Sequence, residues 1–161
     1  RNADHVTMAN ISCLVNQTGP LYVHPKGIVK RTHFHTMAMY ANLLQAYVVK
    51  AKVNADKLTH GSASVAMVDA IATVDKSGKK WAVAMMNRHP SKEVVCTLKI
   101  GELPVDGTYK ATILTGDSPD AYNDIEHPDR VAPKEAELTV KKGAISLPPH
   151  SLVIVDVLLK K

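Results

Sequence analysis

The sequence of 161 residues has few aromatic side chains, with one Trp, one Phe and five Tyr. Proteins that bind single-stranded nucleic acid stack bases on such rings, so this scarcity argues against that function. The net charge is +5, but the lysines are scattered or occur in short pairs, and no run of five like charges is present. Without a clustered basic patch we expect no nucleic-acid partner.

Cysteine is also rare. Cys13 and Cys96 lie far apart and no CxxC pair exists, which excludes the patterns of zinc ribbons and thioredoxin-like sites. We expect both thiols to behave as small buried apolar groups. Long apolar runs are absent too, and no stretch approaches the roughly 20 residues of a membrane span. The first residues carry no signal-peptide core, so the compartment stays open between cytoplasmic and secreted, and no membrane partner is expected.

Common catalytic motifs are missing. The sequence contains no GxSxG nucleophile elbow, GxGxxG loop or P-loop. Glycoside hydrolysis needs two facing carboxylates, but the glutamates flank predicted strands or lie in a loop, where a solvated surface position is expected: Glu93, Glu102, Glu126, Glu135 and Glu137. We therefore assign no catalytic residue from the residue chemistry.

Two groups of residues resemble metal ligands. His33 and His35 lie two positions apart in a predicted helix, where they point to different faces. Four aspartates of a later loop lack the alternating spacing of an EF-hand loop, and turn formation is the simpler account of them: Asp117, Asp120, Asp124 and Asp129. We expect no metal and no cofactor.

The predicted secondary structure changes near residue 46. Helix and loop are predicted before that point, and strands after it. The clearest helix runs from Thr32, its predicted cap, to Gln45, because apolar side chains recur there at spacings of three and four: Phe34, Met37, Met39, Tyr40, Leu43 and Leu44. Upstream, the pattern predicts a short helix over His5 to Ser12 capped by Asp4, a buried strand at Cys13–Val15, and an irregular loop from Asn16 to Val29 with an extended piece at Tyr22 and Val23.

After residue 46 the sequence reads as strand after strand, separated by Gly, Pro and Asp turn signals. We predict strands at Tyr47–Val53, Val65–Val74, Trp81–Asn87, Val94–Ile100, Thr108–Thr115, Glu137–Val140, Ala144–Ser146 and Leu152–Leu159. The longest break, Gly116 to Ala136, is expected to be an ordered surface loop. Many short strands with tight turns are typical of an antiparallel sandwich or barrel. One βα unit before them cannot close a barrel, which indicates a fragment of a larger fold.

Several segments together resemble the C-terminal region of α-L-arabinofuranosidases of glycoside hydrolase family 51. They are Leu114–Asp117 followed by Ala121–Pro133, Asn87–His89 after an apolar strand, and Leu147–Val155 near the end. Thr18–Tyr22 and Gly27–His35 are similar to the last β-to-α loop and last helix of that family's catalytic barrel. The order of these segments along the chain carries the resemblance.

This resemblance implies a mainly β fold, an antiparallel jelly-roll-like β-sandwich preceded by a short α/β segment from the end of a (β/α)8 barrel. Residues 1–45 would be the last β/α unit of the barrel, and residues 46–161 the sandwich. The two catalytic glutamates of the family lie on barrel strands that precede this segment, so the chain alone is expected to be non-catalytic. The implied partners are the missing N-terminal barrel and an arabinose-containing polysaccharide or oligosaccharide, and members are often homo-oligomers.

The resemblance also implies candidate residues near the sugar, because the loop after the last barrel strand borders that site. Some members place a Gln near the start of the last helix, and Arg31 or Thr32 takes that position here. With Asn16 and His24, these residues are the substrate-adjacent candidates. An alternative function remains a carbohydrate-binding or oligomerisation β-sandwich module, since a sandwich fold alone does not decide function.

Overall fold

A computed structural model describes residues 5–11 and 13–158. In chain order the elements are β1 (Leu21–His24), β2 (Gly27–Lys30), α1 (Thr32–Leu43), β3 (Tyr47–Val49), β4 (Lys57–His60), β5 (Ala63–Ala66), β6 (Val68–Val74), β7 (Lys80–Asn87), β8 (Val94–Thr97), β9 (Lys99–Ile100), β10 (Leu103–Pro104), β11 (Gly107–Leu114), β12 (Lys134–Val140), β13 (Ala144–Leu147) and β14 (Ser151–Leu158).

Six strands form one antiparallel sheet in the order β12-β11-β14-β7-β6-β3. Strand β14 lies at its centre and pairs with both β7 and β11, so that Val155 lies opposite Val83 on one side and Ala111 on the other. Four further antiparallel pairs complete the fold: β1 with β2, β4 with β5, β8 with β13, and β9 with β10. The predicted mainly β, antiparallel class is confirmed.

The two central strands of the six-stranded sheet, β7 and β14, are buried on both faces, which explains why β14 is apolar at nearly every position. Side chains of a strand alternate between faces, and Val153, Val155 and Val157 enter one apolar cluster, which also takes in β13 and residues flanking it. Leu152 and Ile154 enter a second cluster on the opposite face, beneath α1. The sheet therefore carries two separate cores.

Helix α1 supplies the cover of this second face. Met39 is buried, and Tyr40, Leu43 and Leu44 pack against the same cluster. The strand residues below it include Ala82 and Ala84, which are fully buried and small enough to let the helix come close. The predicted core stripe is thus found at Met39, Tyr40, Leu43 and Leu44, whereas Met37 is 47% exposed and Phe34 is not part of the cluster. No helix of the described residues is long and apolar enough to cross a membrane.

The segment before α1 differs from its prediction. Residues 5–11 form no helix, and Asp4 and Ser12 lie outside the described residues. Val6, Met8 and Ile11 are exposed, so an apolar face had nothing to pack against, and a helix this short is marginal without packing. The predicted strand at Cys13–Val15 is reduced to one bridge between Val15 and Leu21.

The predicted irregular loop from Asn16 to Val29 is largely a β-hairpin. Strands β1 and β2 pair over their whole length around the turn at Pro25 and Lys26, and Gly27 adopts a positive φ of 147° after that turn. The extended piece predicted at Tyr22 and Val23 is the centre of β1. The turn signals at Pro25 and Gly27 were correctly identified, but they mark the turn of a hairpin rather than an irregular connection.

Several further boundaries were wrong. The predicted strand Val94–Ile100 is two strands, β8 and β9, and β12 begins at Lys134 rather than at Glu137. Arg31, not Thr32, is the N-cap residue of α1, and no side-chain cap bond forms. The predicted strand Val65–Val74 is two strands, β5 and β6, which separate at Met67, whose amide donates to the Asp56 carbonyl. Strand β4 was missed, and β3 ends at Val49, because the small and polar residues of β4 and β5 lack the alternation that signals a strand.

Candidate functional site

The residues between the N-terminal segment and β1 form a compact turn, here called the hairpin loop (residues 13–20). Three non-glycine residues in it adopt left-handed backbone conformations: Cys13 (φ 58°), Asn16 (φ 56°) and Gln17 (φ 38°). The loop folds back closely at Gly19, where a Cβ atom would lie 2.2 Å from the Cys13 carbonyl oxygen. Only glycine fits there, so the tight path of the loop depends on that residue.

Asn16 joins the hairpin loop to β1. Its backbone amide donates to the Leu21 carbonyl at 2.7 Å, and its side-chain Oδ1 accepts a 2.7 Å hydrogen bond from the Val23 amide. Asparagine tolerates the left-handed region better than most residues because its short side chain bonds locally. Asn16 therefore fixes the register of the loop against the hairpin.

Arg31 spans from the start of α1 back to the same loop. Its Nη1 donates to the carbonyl oxygens of Gln17 and Gly19, the latter at 3.0 Å. The guanidinium carbon lies 5.3 Å from the centre of the Tyr22 ring, within the range of a cation–π interaction. Arg31 thus ties the hairpin loop, β1 and α1 together.

His24 lies at the far end of β1. Its Nδ1 accepts a hydrogen bond of 3.2 Å from the Lys26 amide, and its ring centre is 6.0 Å from that of Tyr22. Three of the four predicted residues, Asn16, His24 and Arg31, are therefore linked through one hairpin. Tyr22 is the residue between them that sequence reasoning missed, and its position in a Tyr-x-His alternation on β1 was the available signal.

Thr32 lies apart from this group, in a cleft of about 360 Å³ between α1, the ends of β7 and β11, and the start of β14. We call it the sheet-end cleft. The side chains that matter for its chemistry are Thr32, Thr36, Arg88, Ser118 and His150. No Asp or Glu is among the described residues that line it, so these residues offer no carboxylate pair for glycoside hydrolysis.

Polar groups of the cleft wall are engaged in holding the strand ends together. The buried Asn87 amide donates to the carbonyls of Lys92, Leu147 and Pro148 at 2.9, 3.1 and 2.9 Å. The two ring nitrogens of His150 lie 2.9 Å from the Pro90 carbonyl oxygen and 3.0 Å from that of Gly116. These groups stabilise the cleft rather than present reactive atoms to it.

Arg88 connects the cleft to the β4–β5 hairpin. It pairs with Asp69 at 2.9 Å and donates from Nη1 to the Ala66 carbonyl at 2.9 Å. A second cavity of about 210 Å³ lies on the other side of Asp69 and is bordered by Tyr40. Burial raises the pKa of Tyr40, and the negative charge of Asp69 adds to that effect.

The loop between β11 and β12 (residues 115–133), here called the acidic loop, forms turns, as predicted. Asp124 Oδ1 accepts hydrogen bonds from the amides of Glu126 and His127 at 2.9 and 2.6 Å, and those bonds hold its pKa below the usual range. Asp117 pairs with Arg130 at 3.0 Å, whose hydrogen bond lowers the pKa of the carboxyl. Within residues 5–11 and 13–158, no group of three or more His, Cys, Asp or Glu could hold a metal.

The structure also shows where the glutamates, the two helix histidines and the cysteines lie. All five glutamates are exposed, as expected. The Nε2 atoms of His33 and His35 are buried without a hydrogen-bond partner, and burial is the main cause that lowers the pKa of His35.

The expectation of two buried thiols was wrong for Cys13, which is exposed in the strained loop. Cys96 is partly buried against the larger core, and that burial raises the pKa of its thiol.

Comparison with known proteins agrees with this architecture. The family described as "Alpha-L-arabinofuranosidase C-terminal domain" matches residues 1–151. The chain is 25% identical over 143 residues to the intracellular exo-α-(1→5)-L-arabinofuranosidase of Streptomyces lividans. The aligned region covers 86% of this chain and 21% of that protein.

Solved structures show the same fold. An α-L-arabinofuranosidase of Thermotoga maritima in complex with arabinose superposes with a TM-score of 0.86 at 22% identity, over 98% of this chain and 35% of that one. A GH51 arabinofuranosidase of Xanthomonas axonopodis pv. citri gives a TM-score of 0.83 at 25% identity, over 97% and 32%. The chain thus spans only about a fifth to a third of the length of these relatives.

Proposed function

The chain belongs to the family of α-L-arabinofuranosidase C-terminal domains, and from that premise we propose that it is the non-catalytic part of a retaining glycosidase. The proposed enzyme removes terminal α-L-arabinofuranosyl groups from arabinan or arabinoxylan. Its two catalytic carboxylates would come from the rest of the polypeptide, because the retaining mechanism needs a facing pair about 5–5.5 Å apart, and the glutamates of this chain are exposed and scattered.

Residues 1–45 are proposed to complete the catalytic barrel, and residues 46–161 to form the sandwich that supports it. The packing of α1 favours such a role, since Met39 is buried between the helix and the central sheet. A barrel element fixed in this way would transmit the rigidity of the sandwich to the barrel. Rigid support matters because catalytic groups need to be held within a fraction of an ångström.

The observation that carries this proposal is an uncovered apolar face of the β1–β2 hairpin. Val23 and Ile28 are cross-strand partners and are 44% and 62% exposed. Val15, bridged to Leu21, extends the face and is 44% exposed. Contiguous aliphatic side chains on a surface indicate an interaction site. We propose that the preceding catalytic domain covers this face, in keeping with the much longer chains of the relatives.

The substrate is proposed to approach the hairpin side of the molecule. His24 and Arg31 both lie against Tyr22 there, and Asn16 is bonded to Val23 of the same strand, while Thr32 lies in the sheet-end cleft. An arabinose-containing polysaccharide or oligosaccharide would meet this side of the molecule only once the barrel is complete. Trp81 does not favour the alternative of a binding module, because it packs against the core and its Nε1 donates to the Gly78 carbonyl at 3.0 Å.

The test is an activity assay on 4-nitrophenyl α-L-arabinofuranoside, with the chain alone and mixed with the separately expressed preceding part of the polypeptide. We expect hydrolysis only in the mixture. Val23→Asp should prevent that restoration because it places a charge on the apolar face, whereas Val95→Asp, at a site 67% exposed on β8, should not. Hydrolysis by the chain alone would overturn the proposal, as would an equal effect of the two substitutions.

A further inference from the structure

We propose that Arg31 is a positioning residue, which holds the hairpin loop in one strained conformation and so sets where that loop meets an arabinofuranosyl group. Only the role toward the sugar rests on the proposed function. The hold on the loop is carried by contacts within the chain. Arg31 would act through the loop, because its Nη1 is bound to two carbonyls of that loop and its guanidinium lies over the Tyr22 ring.

The loop needs something to hold it. Cys13, Asn16 and Gln17 all have positive φ, a region that L-residues other than Asn and Asp seldom enter. Strained residues of this kind persist only where the surrounding contacts over-determine them, and they cluster at functional sites. The loop is exposed at residues 13–18, so burial cannot supply the constraint.

Arg31 supplies it at two points of the turn. The carbonyls of Gln17 and Gly19 stand on either side of Thr18, and both accept from Nη1 of Arg31. Hydrogen bonds from a charged donor are among the stronger ones in proteins. With both carbonyls bound to one nitrogen, the turn cannot open without breaking both hydrogen bonds.

Arg31 is itself fixed at both ends. Its amide donates to the Pro20 carbonyl at 2.9 Å, and its own carbonyl accepts from the Phe34 amide at 2.9 Å at the start of α1. Its guanidinium lies over the Tyr22 ring. A lysine keeps the charge but lacks the planar group that stacks and donates in fixed directions. The geometry therefore predicts that lysine cannot replace arginine here.

The consequence reaches the exposed side of the loop. Asn16 is bound to Leu21 and Val23 of β1, and Gly19 donates to the Asn16 carbonyl at 2.6 Å. Release of the Gln17 and Gly19 carbonyls would loosen this chain of bonds and move Thr18 and Gln17. A loop that borders a sugar would then bind it less well without any change to the reacting groups.

The first measurement is amide hydrogen exchange in the chain itself, for Arg31→Lys and Arg31→Gln, with Lys30→Gln as the matched loss of an adjacent cation. We expect the amides of Asn16, Gly19 and Val23 to exchange at least about tenfold faster in both Arg31 variants, since a charge-assisted hydrogen bond contributes roughly that factor. Lys30→Gln should leave them unchanged, and the amides of Val83 and Val155 should report an intact sandwich in every variant. Unchanged loop exchange in Arg31→Lys would overturn the hold on the loop.

The second measurement is steady-state kinetics of the full-length polypeptide on 4-nitrophenyl α-L-arabinofuranoside. Arg31→Lys should raise KM by about tenfold with kcat nearly unchanged, because the loop would bind ground state and transition state alike. Equal KM for wild type and variant would refute the role toward the sugar. An inactive wild-type polypeptide would instead refute the proposed function and with it that role, while the exchange result would still decide the hold on the loop.

Discussion

The side-chain amide of Asn123 donates to the backbone oxygen of Lys30 at 2.8 Å, across 93 positions of sequence. The same amide donates to the Val131 carbonyl at 2.8 Å, and Oδ1 accepts from the Val131 amide at 2.7 Å. Asn123 is 5% exposed. One buried side chain therefore closes the acidic loop on itself and fastens it to the end of β2.

Loss of that amide should destabilise the protein measurably. Asn123→Ala removes three hydrogen bonds and leaves the two buried Val131 groups unsatisfied, and we expect the free energy of unfolding to fall by about 1–3 kcal/mol. Asn123→Asp, which cannot donate to the two carbonyls, should cost at least as much. Tyr122→Ala, at an exposed neighbour, should change stability by less than about 0.5 kcal/mol. Urea unfolding measures all three, and a stable Asn123→Asp variant would contradict the role given to the donor.

The second core can be tested with a matched pair of isoleucines. Ile154 is 2% exposed beneath α1 and Ile28 is 62% exposed on the hairpin. Ile154→Ala should lower the free energy of unfolding by about 2–5 kcal/mol because it leaves a cavity. Ile28→Ala should cost less than about 0.5 kcal/mol in the chain alone. Thermal or urea unfolding gives both values, and similar losses at the two sites would show that α1 does not seal a core.

Stability should depend on pH through His35. Burial lowers the pKa of this ring from its ordinary 6.5, the charge of Lys30 lowers it further, and Asp129 partly opposes the shift. Below about pH 6.5 the unfolded chain then binds more protons than the folded one. The free energy of unfolding should therefore fall as pH decreases through 6.5, and level off once the folded ring is protonated.

His35→Gln should remove this part of the pH dependence, while His60→Gln, on the exposed β4 strand, should leave it in place. Urea unfolding from about pH 7.5 to pH 5 covers the interval, because Asp117 and Asp124, with pKa values below their usual 3.8, lose their contributions only in more acid solution. An unchanged pH profile in His35→Gln would disprove the assignment.

Arg88 should stabilise the β4–β5 hairpin more than it stabilises the protein as a whole. It joins Asp69 to the Ala66 carbonyl, and a two-stranded hairpin such as β4–β5 is marginal on its own. Arg88→Met should speed amide exchange in β4 and β5, yet lower the global free energy of unfolding by no more than about 1 kcal/mol. Arg130→Met, which breaks the exposed pair with Asp117, is the control and should leave β4–β5 exchange unchanged.

Much of the fold was predictable because burial dictates the residue pattern. Strand β14 reads as a continuous apolar run since both of its faces are covered, and α1 shows the spacing that a core-facing helix needs. The mainly β, antiparallel class and the family followed from such segments and their order. Where burial is weak, as in β4 with its exposed Lys57 and Thr59, the pattern carried no signal and the strand was missed.

The site was less predictable, because its geometry depends on contacts that periodicity does not encode. Asn16, His24 and Arg31 came from the resemblance, and nothing in their spacing predicts that Tyr22 would lie between His24 and Arg31. The left-handed conformation of Cys13 and Gln17 could not be foreseen either, since neither residue type favours it. Whether these side chains contact a sugar stays a prediction.

The position of β14 also dictates when the protein can finish folding. Helix α1 leaves the ribosome before every strand of the six-stranded sheet, but Met39 shares its core with Leu152 and Ile154 of the last described strand. Before β14 is made, that face of the helix can pack only against the earlier strands β6 and β7, through Ile71, Ala82 and Ala84. Pairings this distant in sequence form slowly, and exposed apolar surface in a nascent chain invites aggregation. The core beneath α1 therefore closes only when Leu152 and Ile154 have been added.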